Sequence, residues 1–434
     1  MHMKIAPGVR FLSLPDARFK TAQITVALLL PLTEDTAAEQ AIVPYLLRRG
    51  CAKFPDFSAL YRRQNELYGA RVSAAVTRVG EMQMLQLSAT YLDDRYALEG
   101  EDIAAQCAEL LQEMLFNPAL EDGTFRAEDL EQERRCLIEA IEAEINEKRT
   151  FARRQCERLI CAGEPYAVER LGTVEAVSAL TREQVTEAWR RIVNSAQVQI
   201  IYQGSGDGAD VAKAFGTAFG ASERSALPII PPIRKAARKK PLEQTEHMAV
   251  NQGKLVLGLR VGLQESHEQA PATRLMNAIL GGTPHSLLFQ NVREKLSLCY
   301  YCASGVDRHK GVMLIDSGVE ADKVSQAREA ILEQIITLQT NKFTDEAFAS
   351  AKRSLCNQLM AVKDSQGYLA GWYLGQQGVA ALASPEKVAA LVSPEKAAAL
   401  VEAVTREQVV AVAESIVLDG IYLLAPNGEA AEDE

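Results

Sequence analysis

The sequence predicts an α+β protein of two homologous domains, each a largely antiparallel β-sheet covered on one face by helices. Its 434 residues are too many for one ordinary core and suit two domains of about 200 residues each. In each half, strand-like segments come early and late, and several amphipathic helices lie between them. The halves also repeat one plan, because a single offset places Ser73 against Cys302 and Asp93 against Asp322.

The apolar patterns of the first half predict its elements in order. They are a strand at 21–30, a helix from about Thr36, a helix and strand within 57–76, a strand at 82–90, helices at 98–115, 125–161 and 181–193, and a closing strand at 198–202. Thr181 and Gln184 have the spacing of a capping box, which predicts the start of the last helix.

The second half repeats this order. Its elements are a strand at 254–261, a helix from about Pro271, a helix and strand within 285–306, a strand at 311–319, helices at 322–339, 345–363, 385–400 and 405–416, and a closing strand at 420–424. Thr405 and Gln408 form the matching capping box. Ser384 and Ser393 each precede Pro-Glu, a pattern that predicts two short helix starts.

A proline-rich, basic stretch separates the halves and predicts an extended, solvated linker. We therefore divide the chain into an N-terminal domain at 1–220, a linker at 221–247 and a C-terminal domain at 248–434. The prolines of this stretch are Pro228, Pro231, Pro232 and Pro241, and its basic residues are Arg234, Lys235, Arg238, Lys239 and Lys240.

Composition excludes several classes of protein. A hydrophobic content of 47% and a charged content of 24% are typical of globular proteins. The net charge of −10 argues against nucleic-acid binding, which requires a basic face. Without a run of eighteen apolar residues or a leader-like start, we expect no membrane span and a cytoplasmic location. The lack of a GxGxxG motif after a strand disfavours a Rossmann fold.

An apolar helix is predicted through Ala41, Pro44 and Tyr45, and it is followed by Gly50 and then Pro55. This pattern resembles the first helix of the pitrilysin/insulinase family of zinc peptidases, which includes the mitochondrial processing peptidases. The resemblance places the family's zinc-binding His residues on Ala41 and Tyr45 and its catalytic Glu on Pro44. In H-x-x-E-H, two imidazoles on one helix face hold Zn²⁺ while Glu activates its water, which these three residues cannot do. Pro44 also predicts a kink.

The family's third zinc ligand is a Glu on a later helix, seven residues after another acidic residue. The matching run here retains Glu133 but carries Ala140 at the ligand position. Glu139 and Glu142 point elsewhere, because each helical residue turns the side chain by about 100°. The acidic run is also typical of a solvated helix face that binds no metal.

No replacement metal site is predicted. No two of the histidines have helical ligand spacing, and one CxxC, Cys299 and Cys302, is weak evidence for zinc. We expect this pair to lie in a strand, on opposite or oblique faces. The histidines are His2, His247, His267, His285 and His309.

Further motifs extend the resemblance over nearly the whole chain. Residues 164–173 are similar to the family's HPYGxxxxGT loop, with Glu164 in place of His, and Asn194 matches an Asn before the closing strand. Residues 281–289 resemble its GGGMSSRLF segment.

The segment 289–300 resembles the family's LFQxVREKxGLAY, with Ser297 in place of Gly. In paired-domain members, its Arg and Tyr reach from the non-metal half to hold substrate. The resemblance gives these roles to Arg293 and Tyr300, whose donors can bond a peptide carbonyl or an oxyanion. Ion pairing of Arg293 and strand packing of Tyr300 is the structural alternative.

The resemblance therefore implies a non-catalytic chain that binds peptide for an HxxEH-bearing partner. It implies a heterodimer, or a self-dimer, with zinc only in the partner and no cofactor here. The alternative is a non-enzymatic structural or peptide-binding protein of the same fold. A self-sufficient hydrolase is disfavoured, because no GxSxG motif is present.

Overall fold

A computed structural model describes residues 2–221, 223–262, 269–376 and 391–427. The chain divides into two compact units. The first consists of 1–142, 168–231 and 366–391, and the second of 143–167, 232–365 and 392–434.

The first unit is organised around a six-stranded sheet of order β1-β2-β8-β3-β5-β4. Its strands are β1 (His2–Ala6), β2 (Val9–Pro15), β3 (Thr21–Pro31), β4 (Arg71–Val79), β5 (Met82–Leu92) and β8 (Gln197–Gly204). Only the β2–β8 pair is parallel. A short hairpin joins β6 (Leu120–Glu121) to β7 (Thr124–Phe125).

Most helices of the first unit pack on one face of this sheet, and one helix, Gln366–Gln376, packs on the other. The main apolar core includes Ile24, Val26 and Leu28 on one face of β3, whereas Ala27 and Leu29 belong to a smaller cluster on the other face. The helices are α1 (Ala37–Leu46), α2 (Phe57–Glu66), α3 (Ile103–Phe116), α4 (Ala127–Asn146), α5 (Lys148–Ile160), α6 (Val174–Ser178), α7 (Arg182–Ser195) and α8 (Ala209–Gly220). Of these, α5 and the last turn of α4 belong to the second unit.

The second unit contains a five-stranded sheet of order β11-β12-β10-β13-β9, in which only β13 and β9 are parallel. Its strands are β9 (Leu242–Met248), β10 (Gly253–Val261), β11 (Cys299–Asp307), β12 (Val312–Val319) and β13 (Ile416–Pro426). The later helices are α9 (Ala270–Asn277), α10 (Val324–Gln339), α11 (Asp345–Ala361), α12 (Gln366–Gln376), α13 (Pro394–Glu402) and α14 (Arg406–Ala413). Of these, α12 belongs to the first unit. Two π-helical segments, Ala278–Gly282 and Leu288–Lys295, lie between α9 and β11.

The two sheets share one topology. Reading β4-β5-β3-β8-β2 against β11-β12-β10-β13-β9 gives the same strand order and the same single parallel pair. The register also repeats, because Ser73 pairs with Ser88 and Cys302 pairs with Ser317, with one offset relating both pairs. The predicted pair of homologous domains is thus confirmed at the level of individual strand partners.

Two segments depart from the sequence-based boundaries, because 143–167 lies in the second unit and 366–391 in the first. Residues 143–167 join the second unit because its sheet has a site without side chains, where Gly258 of β10 pairs with Gly420 of β13. A Cβ on Gly258 would come within 2.9 Å of the Cys156 sulfur, and one on Gly420 within 2.6 Å of Ile160. Only glycines let α5 approach this closely.

The stretch predicted as a solvated linker is anchored by its basic side chains, which corrects that expectation. Arg234 donates to the backbone oxygen of His309 at 3.1 Å, and Arg238 donates to Asp419 at 2.9 Å. Carbonyl and carboxylate acceptors on the second unit therefore hold this stretch in place. Its proline content alone does not predict that anchoring.

Most predicted elements are present, but the helix predicted at 125–161 is two helices that meet at Glu147. The helix predicted through Pro44 is α1, which continues to Leu46. The first predicted Ser-Pro-Glu helix start, at Ser384, lies outside the described residues, whereas Ser393 caps α13. None of the helices in the described part of the chain combines the length and apolar character that a membrane crossing requires.

Candidate functional site

The first helix, α1, is buried in the main apolar core of the first unit. Ala41 is fully buried and Pro44 is buried, while Tyr45 is partly buried and packs against the same core. On its neighbouring turn, Glu39 pairs with Arg191 of α7 at 2.5 Å. Methyl, ring and phenol groups thus occupy the three positions that the resemblance assigns to His, Glu and His.

The acidic helix α4 meets the end of α1 through an arginine. Arg49 lies 3.0 Å from Asp129 and 3.6 Å from Glu133. Burial raises the pKa of Glu133 above its usual value, and the positive charge of Arg49 opposes that rise. Ala140 is exposed on the same helix and offers no oxygen. The positive charge beside Glu133, the acidic residue that is retained, is therefore the guanidinium of Arg49.

The donor set at these positions does not fit a zinc ion, since alanine and proline side chains carry no ligand atom. Across residues 2–221, 223–262, 269–376 and 391–427, no group of three or more His, Cys, Asp and Glu side chains is arranged to hold a metal.

The loop that resembles HPYGxxxxGT has structural roles in both units. Gly172 has φ +76, and a Cβ there would come within 2.6 Å of the Ala38 Cβ on α1. Thr173 caps α6 by accepting a hydrogen bond from the Ala176 amide. Within the second unit, the buried Glu164 contacts Lys310 at 2.5 Å. The charge that replaces the family's His therefore has a buried partner.

In the second unit, the GGTPHSLLF segment forms a tight, π-helical approach to β11. A Cβ on Gly281 would come within 2.6 Å of the Ser304 amide nitrogen, so a glycine is required there. Ser304 in turn donates to Asn277 at 2.8 Å. π-Helical turns are rare in proteins, and those that occur are often found at functional sites. Here they end at Lys295, directly before the candidate tyrosine strand.

Tyr300 sits in a β-bulge on an edge strand. Cys299 pairs with Val319 and Tyr301 pairs with Gly318, so Tyr300 is the extra residue between two ladder partners. In the first unit, the corresponding Arg71 is regularly paired with Thr90. Because a bulge re-aims a side chain, this one turns Tyr300 out of the regular ladder.

A left-handed residue precedes the bulge. Ser297, which stands where the family has Gly, has φ +51. Its counterpart in the first unit, Tyr68, has φ +56, so the turn is common to both halves. The family's glycine is explained by this backbone conformation, which L-residues adopt at a cost of about 1–2 kcal/mol.

Arg293 and Tyr300 present donors that the described part of the chain does not use. The Arg293 guanidinium stacks over the Phe289 ring at 4.5 Å, and its carboxylate neighbour is Glu294 at 3.6 Å. The Arg293 side chain is 39% exposed and Tyr300 is 60% exposed. Neither side chain donates a hydrogen bond within the described residues, whereas Arg238 and Arg260 are both bonded to Asp419.

The Cys299 and Cys302 thiols do not point apart as the strand period predicts. The bulge at Tyr300 inserts one residue between them, so that Cys299 lies opposite Val319, Cys302 lies opposite Ser317, and both cysteines are on the same side of the strand. The neighbouring Cys302 thiol, together with the charge of Arg293, lowers the pKa of Cys299, while burial opposes the effect. The expected strand is present, but the expectation of opposite or oblique faces is wrong, because sequence alone does not locate the bulge.

Comparisons with known proteins cover nearly the whole chain. The family model described as the Peptidase M16 inactive domain matches residues 179–355. The probable inactive metalloprotease YmfF of Bacillus subtilis is 31% identical over 94% of this chain and 93% of its own length. A conserved protein from Enterococcus faecalis has a structure similar at a TM-score of 0.89, with 25% identity over 99% of both chains. The Peptidase M16 inactive domain from Pseudomonas fluorescens gives a TM-score of 0.77 with 20% identity over 98% of both chains.

Proposed function

The chain belongs to the M16 peptidase family, that of pitrilysin and insulinase, as a non-catalytic member, and we propose that it is a substrate-binding subunit for an HxxEH-bearing partner. In this proposal, the partner supplies zinc and the general base. The two chains together enclose a chamber for the substrate, and this chain contributes half of that chamber and two peptide-binding side chains, Arg293 and Tyr300. We place the complex in the cytoplasm.

The observation that supports the proposal is the pair of unused donors on one short segment. Arg293 is held by stacking on Phe289, which constrains the guanidinium while leaving its in-plane N–H groups available. Tyr300 is set by the bulge on an edge strand. An extended peptide offers carbonyl oxygens, and a tetrahedral intermediate offers an oxyanion; both are acceptors for these donors.

The experiment is peptide cleavage by the mixed complex, with this chain supplied as wild type, Arg293→Gln or Tyr300→Phe. Loss of a charged hydrogen bond costs about 1.5–3 kcal/mol, roughly 10- to 150-fold in kcat/KM. Loss of the phenol hydroxyl costs about 0.5–1.5 kcal/mol, roughly 2- to 13-fold. Complex formation, followed by size-exclusion chromatography, should stay unchanged in both variants.

Matched controls are Arg353→Gln and Tyr61→Phe. Arg353 is an exposed arginine whose side chain donates to Ser350, and Tyr61 is 56% exposed on α2. Both control complexes should cleave at the wild-type rate. If Arg293→Gln and Tyr300→Phe complexes also match wild type, the substrate-binding role is wrong and the structural role is favoured.

A further inference from the structure

The second unit contains a pair of neighbouring thiols that the proposed peptide-binding role does not use. Cys299 begins β11 and is partly buried, and Cys302 is 4% exposed. The register of β11 against β12 shifts between Cys299 and Tyr301, which brings both cysteines to one side of the strand. The two thiols are therefore neighbours on that side of the strand, and both are reduced.

The two thiols differ in environment. Cys299 lies at the partly exposed end of the strand and feels the positive charge of Arg293. Cys302 is enclosed by the apolar core of the second unit, and the neighbouring Cys299 thiol together with burial raises the pKa of Cys302. An accessible thiolate beside a cation, with a second thiol behind it, is the arrangement of an attacking and a resolving cysteine.

The internal repeat isolates this feature. At the positions of the first unit that correspond to Cys299 and Cys302, the chain has Ala70 and Ser73, and the ladder there is regular. The bulge and the thiol pair therefore occur together in the second half and are not part of the plan shared by both halves.

We propose that Cys299 and Cys302 form a redox-active dithiol that reacts with small-molecule disulfides such as oxidised glutathione. The Cys299 thiolate attacks one sulfur, forms a mixed disulfide and displaces one thiolate. Cys302 then loses its proton to solvent and attacks the Cys299 sulfur, forming the internal disulfide and releasing the second thiolate. The protein loses two electrons and two protons, and the small disulfide is reduced to two thiols.

The test follows the reaction of the full chain with oxidised glutathione at pH 7 by peptide mass mapping. Because the thiolate is the nucleophile, Cys299 should react about tenfold faster than Cys136 of α4, although Cys136 is the more exposed of the two. The product should be the internal Cys299–Cys302 disulfide. In Cys302→Ser, which keeps a hydrogen-bonding group at that site, the mixed disulfide on Cys299 should accumulate.

An Arg293→Gln variant should slow Cys299 at pH 7 and recover part of the rate at pH 9, whereas Arg293→Lys should slow it less. The amide-exchange pattern of each variant confirms that it is folded. Reaction of Cys299 no faster than Cys136, or a mixed disulfide that persists in the wild type, overturns the proposal. These measurements report thiol chemistry alone, so their outcome does not depend on whether Arg293 and Tyr300 bind peptide.

Discussion

The buried carboxylate Glu164 offers a sharp stability test of the second unit. Glu164 contacts Lys310 at 2.5 Å, Lys235 at 3.3 Å and Arg260 at 3.5 Å. Lys310 is fully buried and Arg260 is 4% exposed. Glu164→Gln therefore removes one negative charge that faces three cations, two of them buried.

The expected cost follows from which charges are left unpaired. Breaking a buried ion pair by removing one partner costs about 3–5 kcal/mol, because the remaining charge stays desolvated. Arg260 keeps Asp419 at 2.9 Å, but Lys310 loses its nearest carboxylate. We therefore expect Glu164→Gln to cost about 3–5 kcal/mol. Lys310→Met should cost less, about 1–3 kcal/mol, because Glu164 keeps two cations.

The assay is urea denaturation of the two single variants and the double variant. Because Trp189 and Trp372 both lie in the first unit, tryptophan fluorescence does not follow the second. Amide hydrogen exchange of β10 and β13 follows the second unit directly. The double variant should be more stable than the sum of the single costs predicts. A Glu164→Gln variant that loses less than Lys310→Met, or fully additive costs, would refute this reasoning.

Three further outcomes are expected. Gly281→Ala should destabilise the second unit by about 1–3 kcal/mol, because the added methyl group would clash with the Ser304 backbone. Gly371→Ala should stabilise the protein by about 1 kcal/mol, because Gly371 lies in a helix with open space around it. Thermal unfolding measures both changes. Ser297→Gly should stabilise by about 1 kcal/mol in urea denaturation, since φ is +51, and a loss would contradict the strain argument. Burial raises the pKa of Glu133 in the folded state above its value in the unfolded state, so the folded protein binds the proton more tightly. This contribution to stability is fully present below the unfolded-state pKa and is lost as pH rises through the folded-state pKa. Glu133→Gln should thus compare more favourably with wild type at pH 7 than at pH 4, and a reversed order would refute the assignment.

Sequence patterns locate those strands and helices whose side chains are buried in an unbroken run or at regular intervals. The strands β3, β5, β10 and β12 read as apolar runs, so their positions were predicted to within about two residues. By contrast, β9 is polar and mostly exposed, so its pattern places it in the linker. Edge strands carry polar side chains that resemble loops, so pattern alone does not reveal them.

The exchange of α5 between halves was not predictable, because it depends on contacts distant along the chain. Its helical pattern was recognised, but the surface that receives it is made by Gly258 and Gly420. A glycine pair signals such an approach only once the strand register is known. The same holds for the Cys299 and Cys302 thiols, since one unlocated bulge changes which face each occupies.

The candidate site divides in a similar way. Loss of the zinc ligands at Ala41, Pro44, Tyr45 and Ala140 can be read from residue identity, because alanine and proline side chains carry no ligand atom and tyrosine is not among the usual zinc ligands. The guanidinium of Arg49 beside Glu133 could not be predicted, because it depends on how α1 and α4 meet. The roles of Arg293 and Tyr300 stay predictions.

The central claim is that this chain binds peptide for a zinc-bearing partner and does not cleave peptide itself. The most direct measurement is the rate of peptide cleavage by a fixed amount of an HxxEH-bearing M16 subunit as this chain is titrated. The account predicts a saturable increase that is abolished by zinc chelation, with no cleavage and no stoichiometric zinc in this chain alone. Zinc-dependent cleavage by the isolated chain, or a partner rate that is unchanged by its addition, would contradict the account.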